Sequence, residues 1–216
     1  MQEIKGKNVI IRDGELVRRE AENRAYLMSL TNDNLLFNFR LEAGRFSGRS
    51  IPDDAHGGWE SPVCQMRGHF LGHWLSAAAI HYYKTGDMEL KAKADFIVDE
   101  LAKCQEDNGG QWVGPIPEKY LYWIAKGKPV WAPQYNIHKI FMGLVDMYYY
   151  AKNEKALEIA DNFADWFFEW SGKYTREEFD NILDVETGGM LEAWADLYHI
   201  TGKEKYKILM ERYYRR

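Results

Sequence analysis

Three stretches of this sequence concentrate histidine or glutamate among glycines and aromatic rings. The first is Gly57-Gly58-Trp59-Glu60, followed by Arg67-Gly68-His69-Phe70-Leu71-Gly72-His73-Trp74. The second is Trp131-Ala132-Pro133-Gln134-Tyr135-Asn136-Ile137-His138-Lys139, and the third Asp184-Val185-Glu186-Thr187-Gly188-Gly189-Met190-Leu191-Glu192. His69 and His73 share one helical face at metal-ligand spacing, but Phe70 stands where an H-E-x-x-H zinc motif has its glutamate. Two imidazoles alone are too few ligands for zinc. Each is either a core imidazole satisfied by backbone or a substrate-binding group. His138 opens a helix directly after a loop with tryptophan and proline, where a neutral imidazole resists protonation and can donate to a sugar hydroxyl. Its alternative is a capping or core role.

Glu186 and Glu192 stand six residues apart at a helix start and so point to different faces. That does not suit a hydrolytic pair, whose carboxyls must flank the scissile bond at about 5 to 9.5 Å. Glu186 is either a charge partner for a helix N-terminus or an acceptor for a sugar hydroxyl. Glu192, one turn in, belongs to a polar network on its helix. Trp59, Trp112 and Trp131 fall in loops, as core anchors or as stacking platforms.

The elements that must position these groups are helices, apart from a possible short strand at Val9-Ile10-Ile11. A first helix over about Val17 to Phe39 contains Asn32-Asp33-Asn34, which can break it in two. Gly72 to Tyr83, Tyr135 to Tyr150 and Gly188 to Ile200 are apolar nearly all round, the pattern of helices buried on every side. Met88 to Gln105 and Glu154 to Trp170 are amphipathic, the latter with a wet face of Glu158, Asp161, Asn162, Asp165 and Glu169. Short turns with Gly or Asn at the expected C-cap join each buried helix to the next amphipathic one. Long aromatic connections, about Glu106 to Gln134 and Ser171 to Thr187, lead back, and loops of that length are usually functional.

This repeat predicts an all-α fold, an α/α toroid of inner helices wrapped by outer ones, with about three hairpins and hence an incomplete barrel. An α-solenoid uses similar hairpins but has no need of inner helices apolar all round. The whole chain, 1–216, is expected to form one domain: an N-terminal segment and helix over 1–60, then hairpins over 68–216. In a toroid the inner-helix N-termini converge at one end, which is the predicted site.

Composition limits the chemistry further. A net charge of -5 offers no basic stripe for phosphates, so no nucleic-acid partner is expected. No run of about 18 apolar residues and no signal-peptide h-region occur, so the chain is expected to be soluble and cytoplasmic, with no membrane partner. Cys64 and Cys104 are expected as free, buried thiols. An aromatic share of 15% exceeds what the core requires and suits a carbohydrate cleft, where sugar faces stack on indole and phenol rings.

The segments Gly57 to Glu60, Gly68-His69-Phe70-Leu71-Gly72-His73-Trp74-Leu75-Ser76-Ala77, Ile137-His138-Lys139-Ile140, Glu186-Thr187-Gly188-Gly189-Met190 and Ala195-Asp196-Leu197-Tyr198 resemble the signature segments of the β-L-arabinofuranosidase glycoside hydrolase family, in family order. The resemblance covers nearly the whole chain. It implies the N-terminal part of an (α/α)6 barrel and retaining hydrolysis of arabinofuranosyl or related plant-glycan linkages. It also implies zinc holding a cysteine nucleophile in the full-length enzyme, with ligands and catalytic residues beyond residue 216. No catalytic or metal residue is therefore assigned, and this piece alone is expected to be inactive. Substrate-binding roles are expected for Trp59, Glu60, His73, Trp131, His138, Glu186 and Thr187, toward an oligosaccharide or glycoside. Thr187 and Leu191 depart from residues common in the family, His or an aromatic ring and Asn respectively. The partners expected are the substrate, the missing half of the barrel and, through exposed inner helices, other copies of the chain. Two other readings keep the fold: a sugar epimerase or unsaturated-uronide hydrolase, and a non-catalytic glycan-binding half-barrel.

Overall fold

Local chemistry sets where each helix begins and ends. In the computed structural model, residues 10–45 and 51–215 are described, and among them lie ten α-helices and no strand. Ile10 and Ile11 are irregular, and Val9 lies outside the described residues. The helices are α1 (Glu15–Ser29), α2 (Asn32–Glu42), α3 (His69–Thr85), α4 (Met88–Asp107), α5 (Lys119–Ile124), α6 (Pro133–Ala151), α7 (Glu154–Ser171), α8 (Arg176–Val185), α9 (Met190–Thr201) and α10 (Glu204–Tyr213). The first helical run does divide, but just before its polar triplet. Thr31 takes an extended conformation and its side chain accepts the N–H of Asn34 at 3.3 Å, so Asn32, Asp33 and Asn34 open α2.

The hairpins α3–α4, α6–α7 and α9–α10 turn through left-handed residues. Gly86 (φ 76°) and Gly202 (φ 65°) take that conformation in two of them. In the other it falls on Lys152 (φ 58°), while Asn153 caps α7 by accepting the N–H of Ala156 at 3.0 Å. A side chain there costs about 1 to 2 kcal/mol. The long connections are not structureless. The first contains α5, and the second is largely α8, opened by a capping box in which the Thr175 side chain accepts from Glu178 N at 3.3 Å and the Glu178 carboxylate from Thr175 N at 2.8 Å.

Contacts that climb in step along both partners make the inner helices parallel. Gly72 lies against Lys139, Ser76 donates to Asp146, and Tyr83 meets Tyr150 at 5.3 Å between ring centroids. From α6 to α9, His138 reaches Glu192 and Phe141 packs on Trp194. The outer helices are parallel too: Tyr206 Oη donates to Asp161 at 2.6 Å and Arg212 Nη1 to the Phe168 carbonyl at 2.7 Å. Asp161 also binds Lys203 at 2.7 Å, so part of the expected wet face of α7 seats α10.

Between the two layers, Phe141, Phe163, Phe167 and Trp194 interlock with centroids 4.8 to 5.9 Å apart. The expectation that the inner helices are buried on every side fails on one face of α3 and one face of α9. Ile80 is 46% exposed, and Glu192, Asp196 and His199 are exposed as well. These side chains line the concave side of an arc of an α/α toroid, where three hairpins leave the interior open. Among the described residues no helix is long and apolar enough to cross a membrane.

Candidate functional site

The N-termini of the inner helices lack side-chain caps of their own, because Gly68, Ala132 and Gly189 stand at the cap positions in left-handed geometry. Carboxylates from the loops supply two of these caps. Glu60 accepts the N–H of Gly68 at 2.7 Å and of Phe70 at 3.0 Å, closing α3. Glu186 accepts the N–H of Gln134 at 2.9 Å and of Tyr135 at 2.8 Å, closing α6. The positive helix ends favour a negative partner, and both glutamates are thereby held by backbone. Burial raises the Glu186 pKa, against the pull of the two backbone N–H groups. Gly188 is required at this junction, since a Cβ there would lie 2.4 Å from Tyr135 N.

Glu60 also lies 2.6 Å from His69 Nδ1, which shares its proton with the Met66 carbonyl at 3.0 Å. Burial lowers the His69 pKa, but the hydrogen bond and charge of Glu60 outweigh it and the net shift is upward. His69 is thus a buried structural imidazole. Asn136 holds the same loop by donating to the Met66 and Arg67 carbonyls, each at 2.8 Å.

Around this frame stands an aromatic wall. Trp59 meets Trp131 edge to face at 5.7 Å, and His69 lies 6.0 Å from Tyr135 and 6.1 Å from His73. Trp59 is 60% and Trp131 48% exposed, which a core anchor would not be, and the backbone N–H of Trp131 donates to Gln65 at 2.8 Å. Trp112 resolves the other way: it is buried against Phe163 and Trp166, its indole N–H donating to Ile116. Lys139 sits over the Tyr135 ring at 4.9 Å. Burial first, and then Lys139, lower the pKa of both His73 and His138, keeping them neutral at neutral pH. A neutral imidazole offers a hydroxyl one donor and one acceptor.

The expected site residues therefore divide by position. Trp59, Trp131 and His73 gather at one end of the arc with Tyr135 and Lys139. Glu60 and Glu186 hold helix ends beneath them, and the Thr187 hydroxyl turns back to the Leu183 carbonyl at 3.2 Å. His138 is buried and reaches Glu192. Sequence reasoning passed over Tyr135, Lys139, Gln65 and Asn136. Polar residues in the first two turns of an otherwise apolar helix were the available signal for three of them. A groove of about 520 Å³ lies between α4 and α7, but no imidazole or aromatic ring lines it.

The residues present do not fit a zinc centre. Among those described, no three His, Cys, Asp or Glu side chains gather to hold a metal. Cys64 is only half-buried, against the expectation for both cysteines, whereas Cys104 is buried, which pushes its thiol pKa to about 11, far from a ready thiolate.

Over residues 8–216 the sequence matches the family described as β-L-arabinofuranosidase, GH127 catalytic domain. Among solved structures, a GH127 β-L-arabinofuranosidase from Geobacillus stearothermophilus T6 is similar at 20% identity, with a TM-score of 0.58 over 92% of this chain and 29% of that one. The chain thus spans less than a third of that protein, and the likeness is one of fold. No curated protein matches.

Proposed function

The chain belongs to the β-L-arabinofuranosidase GH127 catalytic-domain family, a family of glycoside hydrolases, and from that membership we propose that the aromatic end of its arc is one wall of a carbohydrate-binding site. The enzyme it serves acts on arabinofuranosyl or related plant-glycan linkages, with retention of configuration. The observation that carries this reading is the exposed Trp59–Trp131 pair set beside the neutral His73 and the ammonium of Lys139. Flat apolar rings take the sugar's C–H face, while imidazole and ammonium take its hydroxyls.

This chain supplies binding groups only. Glu60 and Glu186 hold backbone, and no step of the reaction is assigned to zinc or to a nucleophile here. Hydrolysis requires further hairpins to close the ring, and the open concave face favours self-association of the isolated chain.

Titration of the chain with methyl β-L-arabinofuranoside, followed by tryptophan fluorescence, tests the reading. A saturable change in the wild type that disappears in the W59A/W131A double variant is expected. A wild type without any saturable response would overturn it.

A further inference from the structure

Glu192 stands in the first turn of α9 with its side chain 70% exposed, yet it does not hang free. Its Oε2 lies 3.2 Å from Nε2 of His138, whose own side chain is only 5% exposed. The ring has little latitude. Gly189 is so close that a Cβ there would sit 3.0 Å from Cε1 and 3.1 Å from Nδ1. Nδ1 is buried without a partner, so Nε2 is the nitrogen that bonds, and a carboxylate beside it requires the proton on Nε2.

Satisfying a buried imidazole needs no carboxylate, because a backbone carbonyl does the same without bringing a charge. An exposed carboxylate, conversely, normally samples several rotamers and loses entropy when it is fixed. Here the buried partner fixes the exposed one. No hydrogen bond among the described residues engages Oε1 of Glu192. Asp196 follows one turn later, exposed on the same α9 face. The wall thus has donors in His73 and Lys139, apolar faces in Trp59 and Trp131, and a directed acceptor in Glu192.

We propose that Glu192 is a sugar-hydroxyl acceptor of this site, held in place by His138 as its positioning residue. The proposal rests on the carbohydrate reading above and adds the acceptor that reading lacks. It moves His138 one step back from the ligand: the imidazole directs the carboxylate, and the carboxylate meets the hydroxyl.

The test combines two measurements on the whole chain. Long-range proton–nitrogen spectra of 15N-histidine protein read the His138 tautomer, and fluorescence titration with methyl β-L-arabinofuranoside reads binding. The wild type is expected to show the Nε2–H tautomer, E192Q to keep it through its amide oxygen, and E192A to lose it. Sugar affinity is expected to fall about tenfold or more in E192A and in H138A, with the double variant no worse than E192A alone. Wild-type affinity in E192A would overturn the proposal and leave the carbohydrate reading standing. An E192A that loses affinity but keeps the tautomer would overturn the positioning role of His138. A wild type with the expected tautomer and no sugar response would overturn the reading and the proposal together.

Discussion

The carboxylate of Glu186 accepts the backbone N–H of Tyr135 at 2.8 Å, so one inner helix is closed by the loop that leads into the next. Its other oxygen takes the N–H of Gln134. Replacing Glu186 by Ala leaves both donors without that partner and is expected to cost about 1 to 3 kcal/mol. Urea denaturation measures the loss. Burial raises the folded-state pKa, so the folded chain holds more protons than the unfolded one above the ordinary value of 4.5. Stability contributed by this group falls as pH rises through that window. E186Q is expected to lose that slope.

His69 gives a second pH signature. Its folded pKa lies above 6.5 because Glu60 outweighs burial. The imidazolium therefore contributes stability that is fully present below 6.5 and is lost as pH rises through the folded value. In E60Q this loss is expected to shrink. Thermal melts from pH 5.5 to 8.5 show it as a flatter profile, and an unchanged profile would remove Glu60 as the cause.

At Gly72 the backbones of α3 and α6 come so close that a Cβ would lie 1.9 Å from the Lys139 carbonyl oxygen. Backbone cannot yield as a side-chain tip can. G72A is expected to lose about 3 kcal/mol or more of stability. G143A, with its nearest contact at 2.6 Å to the Gly72 carbonyl, is expected to lose less. Equal and small losses would show that α3 and α6 slide apart easily.

Thr175→Ala removes one half of the capping box on α8 and is expected to cost about 1 kcal/mol. Because α8 delivers Glu186 to α6, hydrogen exchange at Gln134 and Tyr135 is expected to quicken along with that of α8. Protection unchanged at those two amides would separate the two helices.

Apolar periodicity made the three hairpins legible in the sequence, since Leu75, Phe141 and Trp194 repeat a pattern that only a buried helix needs. The capping box Thr175-x-x-Glu178 is a local signal that went unread, and it marks a helix within a stretch whose length alone reads as loop. Burial on every side was not legible. Ile80 is apolar and exposed, and hydrophobicity cannot say whether its facing partner is present. In the site, Trp59 and Trp131 were separable from Trp112 only by exposure, which depends on neighbours distant in sequence. Capping of α6 by Glu186 joins positions 52 apart, a pairing no local pattern encodes.

That separation also bears on how the chain is made. Glu60 precedes α3, so the cap of that helix is already in hand when its first turn leaves the ribosome. The cap of α6 is not. At about 5 to 20 residues per second, the mouth of α6 waits roughly 3 to 10 s for Glu186 to be synthesised. During that interval its first amides are open to water or to a chaperone. The wall of the site is therefore completed in two stages, α3 at once and α6 only when the threshold of α9 exists.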